Sequence, residues 1–247
     1  MIKHFELDDR KKQILECIVR DYLHTAEPVG SRMICRSHME ELSPATIRNE
    51  MADLEEMGLI VQPHTSAGRI PTDLGYRYYV DHMMKTRKLT PKEEEMIGAA
   101  LGQINQNVEE AVRQTLKVLS HLLEYASLIA TLGEKKQVFS SGLSRLVKQP
   151  EFADINTTRQ LLSALEEEEL MVDMVKEYTN EKGLSIHIGN ENKFKEVKNY
   201  SVVMNSYDMK NGACGGIGII GPTRMSYARA SAILEALAQR LNLMGDE

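Results

Sequence analysis

Arg48 and Asn49 are adjacent in the stretch LSPATIRNEMADLEEMGLI, residues 42–60. Their forked hydrogen-bonding side chains match the guanine and adenine edges displayed in the major groove of DNA. With Ile47 at the centre of an inward helical face, 100° per residue brings Met51 and Leu54 beside it. The same turn sends Ala45, Arg48, Asn49 and Ala52 outward, with Thr46 at the flank. Small residues on that outward face let the helix come close to a surface. The chemistry on offer is recognition, with no bond made or broken. Arg69, next to the permissive Gly68 in a turn-dense loop, adds a cation that would reach a minor groove or a phosphate.

Other chemistry-bearing residues have plainer readings. The segment GIGIIGPTRMSYARA, 216–230, puts a turn before a helix whose first N–H groups, with Arg224, would take an anion. Its spacing follows neither the P-loop nor the dinucleotide pattern, and close packing in a tight β-to-helix turn explains Gly216, Gly218 and Gly221 equally well. An enzyme or nucleotide-binding protein built on that turn is one alternative. The seven histidines lack the i, i+4 or Cys-paired spacing that zinc requires, and no Ser/His/Asp or Cys/His set stands out. No cofactor is expected. Cys17 lies among apolar residues as an inert core thiol, and Glu166–Glu169 reads as a solvated face.

The elements that must position Arg48 and Asn49 are helical. Ile14, Leu15, Ile18, Val19, Tyr22 and Leu23 mark one amphipathic helix from about Arg10 to His24, and a short second helix runs from Val29 to about His38. The third spans roughly 44–57: Ser43 caps it, Pro44 suits its first position, and Gly58 suits the left-handed residue past its end. A short strand, Leu59-Ile60-Val61, a loop, and an ordered stretch from Ile70 complete a winged helix-turn-helix pattern. The bland alternative is an interaction module on which Arg48 is merely solvated. Met83–Thr90 reads as a linker.

Residues 91–130 read as one long helix with apolar residues at Ile97, Leu101, Ile104, Val108, Val112, Leu116, Leu119, Leu123 and Ala126. Such a seam makes either a helix-pair dimer contact, carried by Ile97, Leu101, Ile104 and Val108, or a packing face within its own domain. Beyond about 137, helical stretches alternate with β-like runs: LSIHIG at 184–189, YSVVM at 200–204 and GIGIIG at 216–221. The expected class is α+β in three parts, 1–85, 91–130 and 131–247.

Composition bounds these readings. Of 247 residues, 42% are hydrophobic and 27% charged, which excludes a disordered or low-complexity chain. No apolar run approaches the roughly 20 residues of a membrane span, and the N-terminus has no signal-like apolar stretch. Three cysteines leave an odd thiol under any pairing, so a cytoplasmic protein is expected. A net charge of −6 argues against a polycation that coats nucleic acid. Residues 1–85 hold 11 Lys+Arg against 14 Asp+Glu, so DNA binding would be weak in a monomer and rely on a dimer.

At residues 27–81 the pattern becomes specific. LSPATIRNEMADLEEMGLI and QPHTSAGRIPTDLGYR closely resemble the DNA-binding domain of the heat-inducible transcription repressor HrcA family. YASLIA at 125–130, QPEFAD at 149–154, IGNEN at 188–192 and GIIGPTRMSYARA at 218–230 resemble the same family's effector domain. The resemblance implies a winged helix-turn-helix domain, a GAF-like α/β domain and a small inserted dimerising domain. It also implies a homodimer on an inverted-repeat operator of double-stranded DNA upstream of chaperone operons, and the chaperonin GroEL as partner. The implied DNA-contacting residues are Ser43, Thr46, Arg48 and Asn49 in the third helix and His64, Thr65, Ser66 and Arg69 in the wing; Ser31 and Arg32 of the second helix complete the set. Only about residues 131–148 separate the segments that flank the family's insert, which is therefore missing or reduced to a short hairpin. A GAF-type regulator that senses a small ligand is the second functional reading.

Overall fold

The computed structural model describes residues 6–102, 108–133, 136–152, 154–180 and 182–244. It is a mixed helix and sheet protein of α+β class, divided into two compact units, Met1–Lys85 and Thr86–Glu247. In the first unit, α1 (Asp9–Thr25) starts at Asp8, whose carboxylate accepts the Lys11 N–H at 2.8 Å. Helix α2 spans Ser31–Ser37 and α3 spans Pro44–Glu56. The Ser43 hydroxyl accepts the Thr46 N–H at 3.1 Å, Pro44 occupies the first turn, and Gly58 takes φ +78° just beyond the end. Strands β1 (Ile60–Val61) and β2 (Ile70–Pro71) pair antiparallel, and α4 (Asp73–His82) follows. Ile14, Leu15, Ile18, Val19, Ile34, Ile47, Met51 and Leu54 form the buried core beneath α3.

The second unit is built on a five-stranded sheet. Its strands are β3 (Ala126–Thr131), β4 (Gln137–Ser141), β5 (Leu184–Ile188), β6 (Tyr200–Asp208) and β7 (Cys214–Pro222), in the order β4-β3-β7-β6-β5 with every neighbour antiparallel. Alternation along the strands sends Leu128, Ala130, Val202, Met204 and Ile220 to one face. There they pack on α8 (Ile155–Glu166) and α9 (Glu168–Tyr178) through Leu161, Met171, Met174 and Val175. The other face meets α10 (Tyr227–Leu243), which also contacts α5 (Pro91–Leu101) and α6 (Val108–Leu122). A four-residue helix, α7 (Leu143–Leu146), follows β4. Glu166–Glu169 is exposed at the break between α8 and α9.

The expected single helix over 91–130 is corrected to two helices and a strand. Gly102 closes α5, α6 ends at Leu122, and Ala126–Thr131 is a sheet-interior strand between β4 and β7. Ala126–Ala130 are all buried, so the run carries no period, and the helical spacing read through Leu123 and Ala126 was coincidental. The glycine run is explained by close approach. A Cβ on Gly216 would lie 2.6 Å from Val175 Cγ1 and 2.8 Å from Thr179 Cγ2, so the small residue lets α9 settle onto β7.

Glu93 fixes the start of α5. Only 4% exposed, it accepts the Thr90 N–H at 2.9 Å, Arg87 Nη2 at 2.8 Å and Arg229 Nε at 3.0 Å, which joins the chain before α5 to α10. Burial alone would raise its pKa, but the Thr90 N–H and the two guanidiniums outweigh burial and hold it at about 2. A depressed folded-state pKa stabilises above the ordinary value of 4.5, and that contribution fades as pH falls toward 2. Glu93→Gln should therefore cost about 1–3 kcal/mol at neutral pH. Thermal unfolding of both proteins across the acid range is the check: the gap should close between pH 4.5 and about 2. A gap independent of pH would show that the charge is not its source.

Candidate nucleic-acid interface

Helix α3 presents Ala45, Arg48, Asn49 and Ala52 to solvent and buries Ile47, Met51 and Leu54, which is the division its spacing requires. Ser43 is exposed at the cap and Thr46 half-buried behind it, their hydroxyls 2.9 Å apart. Ser43 is thus already used in starting the helix, whatever else it touches. In α2, Ser31 is half-buried and Arg32 exposed. His64, Thr65 and Ser66 are exposed in the loop between β1 and β2.

The position of Arg69 is different from that of a free loop-tip cation. Its Nε and Nη2 lie 2.9 and 2.8 Å from Glu55 Oε2, and its guanidinium is largely covered. The other Glu55 oxygen accepts the Gln62 N–H at 3.0 Å, so one carboxylate of α3 holds both arms of the hairpin. Gln62 in turn donates to the carbonyls of Thr65 and Ala67 at 3.1 and 2.9 Å, which shapes the loop from within. Arg69 and Val29 exchange two backbone hydrogen bonds of 2.9 Å. A Cβ on Gly68 would sit 2.4 Å from the Val29 carbonyl, so only glycine permits this crossing. The Arg69 side chain thus has a scaffolding role that its sequence position does not announce, beside the phosphate or groove contact expected of it.

Electrostatics sharpen the face. Three of the four acids of α3 are tied to other elements: Glu50 lies 2.8 Å from Lys11 and 3.4 Å from Arg10, Asp53 lies 3.1 Å from Lys11, and Glu55 holds Arg69, while Glu56 at the end of the helix is exposed. The hydrogen bonds that Lys11 donates to Glu50 and then to Asp53 push its pKa upward. Arg20 and Arg77 pair within their own helices with Glu16 and Asp81. Arg32, Arg36 and Arg48 are all exposed, and none of them forms an ion pair among the described residues. Sequence reasoning missed Arg36, although its i, i+4 spacing from Arg32 puts the two on one face of α2. It also missed Glu55 and Gln62, whose roles arise from long-range contacts that carry no periodic signal.

The seam proposed for a dimer contact is largely interior. Ile97 and Leu101 are 0% and 4% exposed in the packing of α5, α6 and α10, so neither can carry the expected dimer contact: a helix face buried in its own unit has no stripe to offer. Val108 is half-buried and Ile104 lies outside the described residues. Arg224 is held by Glu151, with Nε 2.6 Å from Oε1, which favours the packing reading of the glycine-rich turn over an anion site. Burial pushes the Cys17 thiol up to about 11, so it stays protonated and unreactive at neutral pH. Among the described residues no His, Cys, Asp and Glu group could hold a metal, and no helix is long and apolar enough to cross a membrane.

Comparison with known proteins places this arrangement among transcription repressors. Residues 92–230 match the family model described as the HrcA protein C-terminal domain. The chain is 31% identical to the heat-inducible transcription repressor HrcA of Moorella thermoacetica over 335 aligned positions, covering 96% of this chain and 97% of that protein. It is 30% identical to the repressor of the same name from Desulforamulus reducens, with 96% of each covered. The chain belongs to the HrcA family, a family of transcriptional repressors and not of enzymes. Because 335 aligned positions exceed 247 residues by 88, the Moorella protein carries at least 88 positions that this chain lacks. The fold is also that of a crystal structure of a hypothetical protein, 22% identical with a TM-score of 0.74 over 96% of both chains.

Two substitutions separate reading from scaffolding. Arg48→Ala should leave the unfolding temperature unchanged and cost about 1–3 kcal/mol of DNA binding, relaxing preference at one base position. Arg69→Ala should instead cost about 1–2 kcal/mol of stability in the first unit, since it removes a charge-assisted pair and leaves Glu55 with the Gln62 N–H alone. Equal, sequence-independent binding losses with unchanged stability in both would sink the distinction.

Proposed function

We propose that this protein is a heat-inducible repressor that binds, as a dimer, an inverted-repeat operator upstream of chaperone operons in the cytoplasm. The first unit acts as a winged helix-turn-helix domain, with α3 in the major groove and the β1–β2 loop as wing; the second is a GAF-like effector domain. The observation that carries this reading is the exposed Arg48–Asn49 face in the first two turns of α3, with Glu50, Asp53 and Glu55 each held by a cation of another element. Phosphate contacts from Arg32 and Arg36 would set the register, and base contacts from α3 would specify. Family membership supports the repressor role, and GroEL is proposed as the chaperonin that returns the unfolded repressor to its active form.

A second reading has one observation of its own. A cleft of about 630 Å³ in the second unit is lined by Asn205, Asn242, Gln239, Glu235 and Lys182, which suits a small polar effector. A gel shift on an inverted-repeat chaperone promoter, with and without nucleotide, separates the two. The repressor reading predicts a nucleotide-independent shift that weakens with salt, and GroEL should raise the active fraction without altering sequence preference. A shift that appears only with nucleotide would favour the effector reading. No shift at low salt would remove DNA as partner.

A further inference from the structure

We propose that the edge strand β4 is where two copies of this chain join, Gln137–Ser141 of one protomer pairing antiparallel with the same strand of its partner about a two-fold axis at Phe139. The inference rests on the repressor reading, which requires two reading heads related by the symmetry of an inverted repeat. Since Ile97 and Leu101 are spent inside the second unit, and since the Moorella relative carries at least 88 positions that this chain lacks, another surface of this chain must supply the contact.

Several observations converge on β4. It is the outer strand of the sheet and pairs only with β3. The pairing is regular through all five positions, from Ser127 opposite Ser141 to Thr131 opposite Gln137, with no bulge to turn the edge away. Its sequence, Gln-Val-Phe-Ser-Ser, has no charge and no proline, the devices by which solvent-facing edges are normally protected. Among the described residues its backbone makes no hydrogen bond beyond those to β3. The opposite edge is treated differently. At β5 the Ile188 N–H is capped by Glu191 Oε2 at 2.8 Å, and the chain then turns through Gly189–Glu191.

The side chains fit the same axis. Val138 packs into the core shared with α9, which puts Phe139 on the other face, where it is only half-buried. Antiparallel self-pairing sets Phe139 opposite the partner's Phe139 and covers both rings. Such an interface is isologous and closes at two copies. It is also small, so the free dimer should be weak and should tighten when both heads engage an operator.

Sedimentation of the full chain, together with hydrogen exchange, tests this. The wild type should pass from monomer to dimer with concentration, and β4 amide exchange should slow in step. Phe139→Lys should weaken self-association by more than about tenfold, since it removes an aromatic pair and sets like charges face to face. Its helical content should be unchanged and half-site binding kept. Mixing Phe139→Lys with Phe139→Glu should restore dimers. A wild type that stays monomeric, β4 exchange that ignores concentration, or a Phe139→Lys protein that dimerises normally would each overturn the proposal. If Phe139→Lys fails to fold, the exchange measurement on the wild type still decides. Dimerisation through β4 with no operator binding by any form would sustain the interface and defeat the repressor reading.

Discussion

The arrangement of α3 and the β1–β2 hairpin depends on the Glu55 carboxylate. A two-residue strand pair such as β1–β2 is too short to hold itself together, and isolated hairpins are marginal in water even when longer. Here one oxygen of Glu55 takes the Gln62 N–H while the other takes the Arg69 guanidinium, so both arms of the hairpin are pinned to the last turn of α3. The loop that carries His64, Thr65 and Ser66 is thereby fixed with respect to Arg48 and Asn49, within one unit and without a large core between them. The two Val29–Arg69 backbone bonds form an isolated antiparallel bridge that anchors the hairpin at the entry to α2.

The same contact resolves a difficulty of charge. A unit with more acids than bases ought to repel phosphate, and a count over its residues cannot say otherwise. What matters is where the unpaired charges sit. Each acid of α3 that pairs faces an adjacent element: Glu50 and Asp53 toward α1, Glu55 toward the hairpin. Neutralised in place, these groups hold the scaffold together, and Arg32, Arg36 and Arg48 stay exposed without an ion pair among the described residues. A net negative charge is therefore compatible with the proposed binding of a polyanion through one face.

Local rules made α3 legible. Ser43, Pro44, Gly58 and the Ile47–Met51–Leu54 spacing each carry a backbone requirement that no distant residue overrides, and the structure has the helix at Pro44–Glu56. The strands at 184–188, 200–208 and 214–222 announced themselves by short apolar runs of β-branched residues and glycine. The rest depended on partners far along the chain. Ala126–Thr131 is sandwiched between two strands and two layers of helix, so both its faces are apolar, and a helical period fits such a run as easily as an extended one. The Arg69–Glu55 pair was not legible because its two members lie 14 residues apart on different elements. Glu93 and Arg229, 136 residues apart, are a stronger case of the same blindness.

The architecture of the second unit explains how a member of this family can dispense with a segment its relatives possess. The resemblance puts the missing positions between 130 and 149, and there the chain makes the hairpin from β3 to β4 followed by α7. Turns at the end of an antiparallel pair are the points where added or removed residues change only loop-closure entropy, which grows slowly with length. The five-residue register of β3 with β4 is set instead by the core contacts of Leu128, Ala130 and Val138. Loss of a long loop therefore leaves the sheet intact. A chain shortened in this way keeps the five-stranded sheet and its helices, and β4 is left as the sheet's outer strand among the described residues.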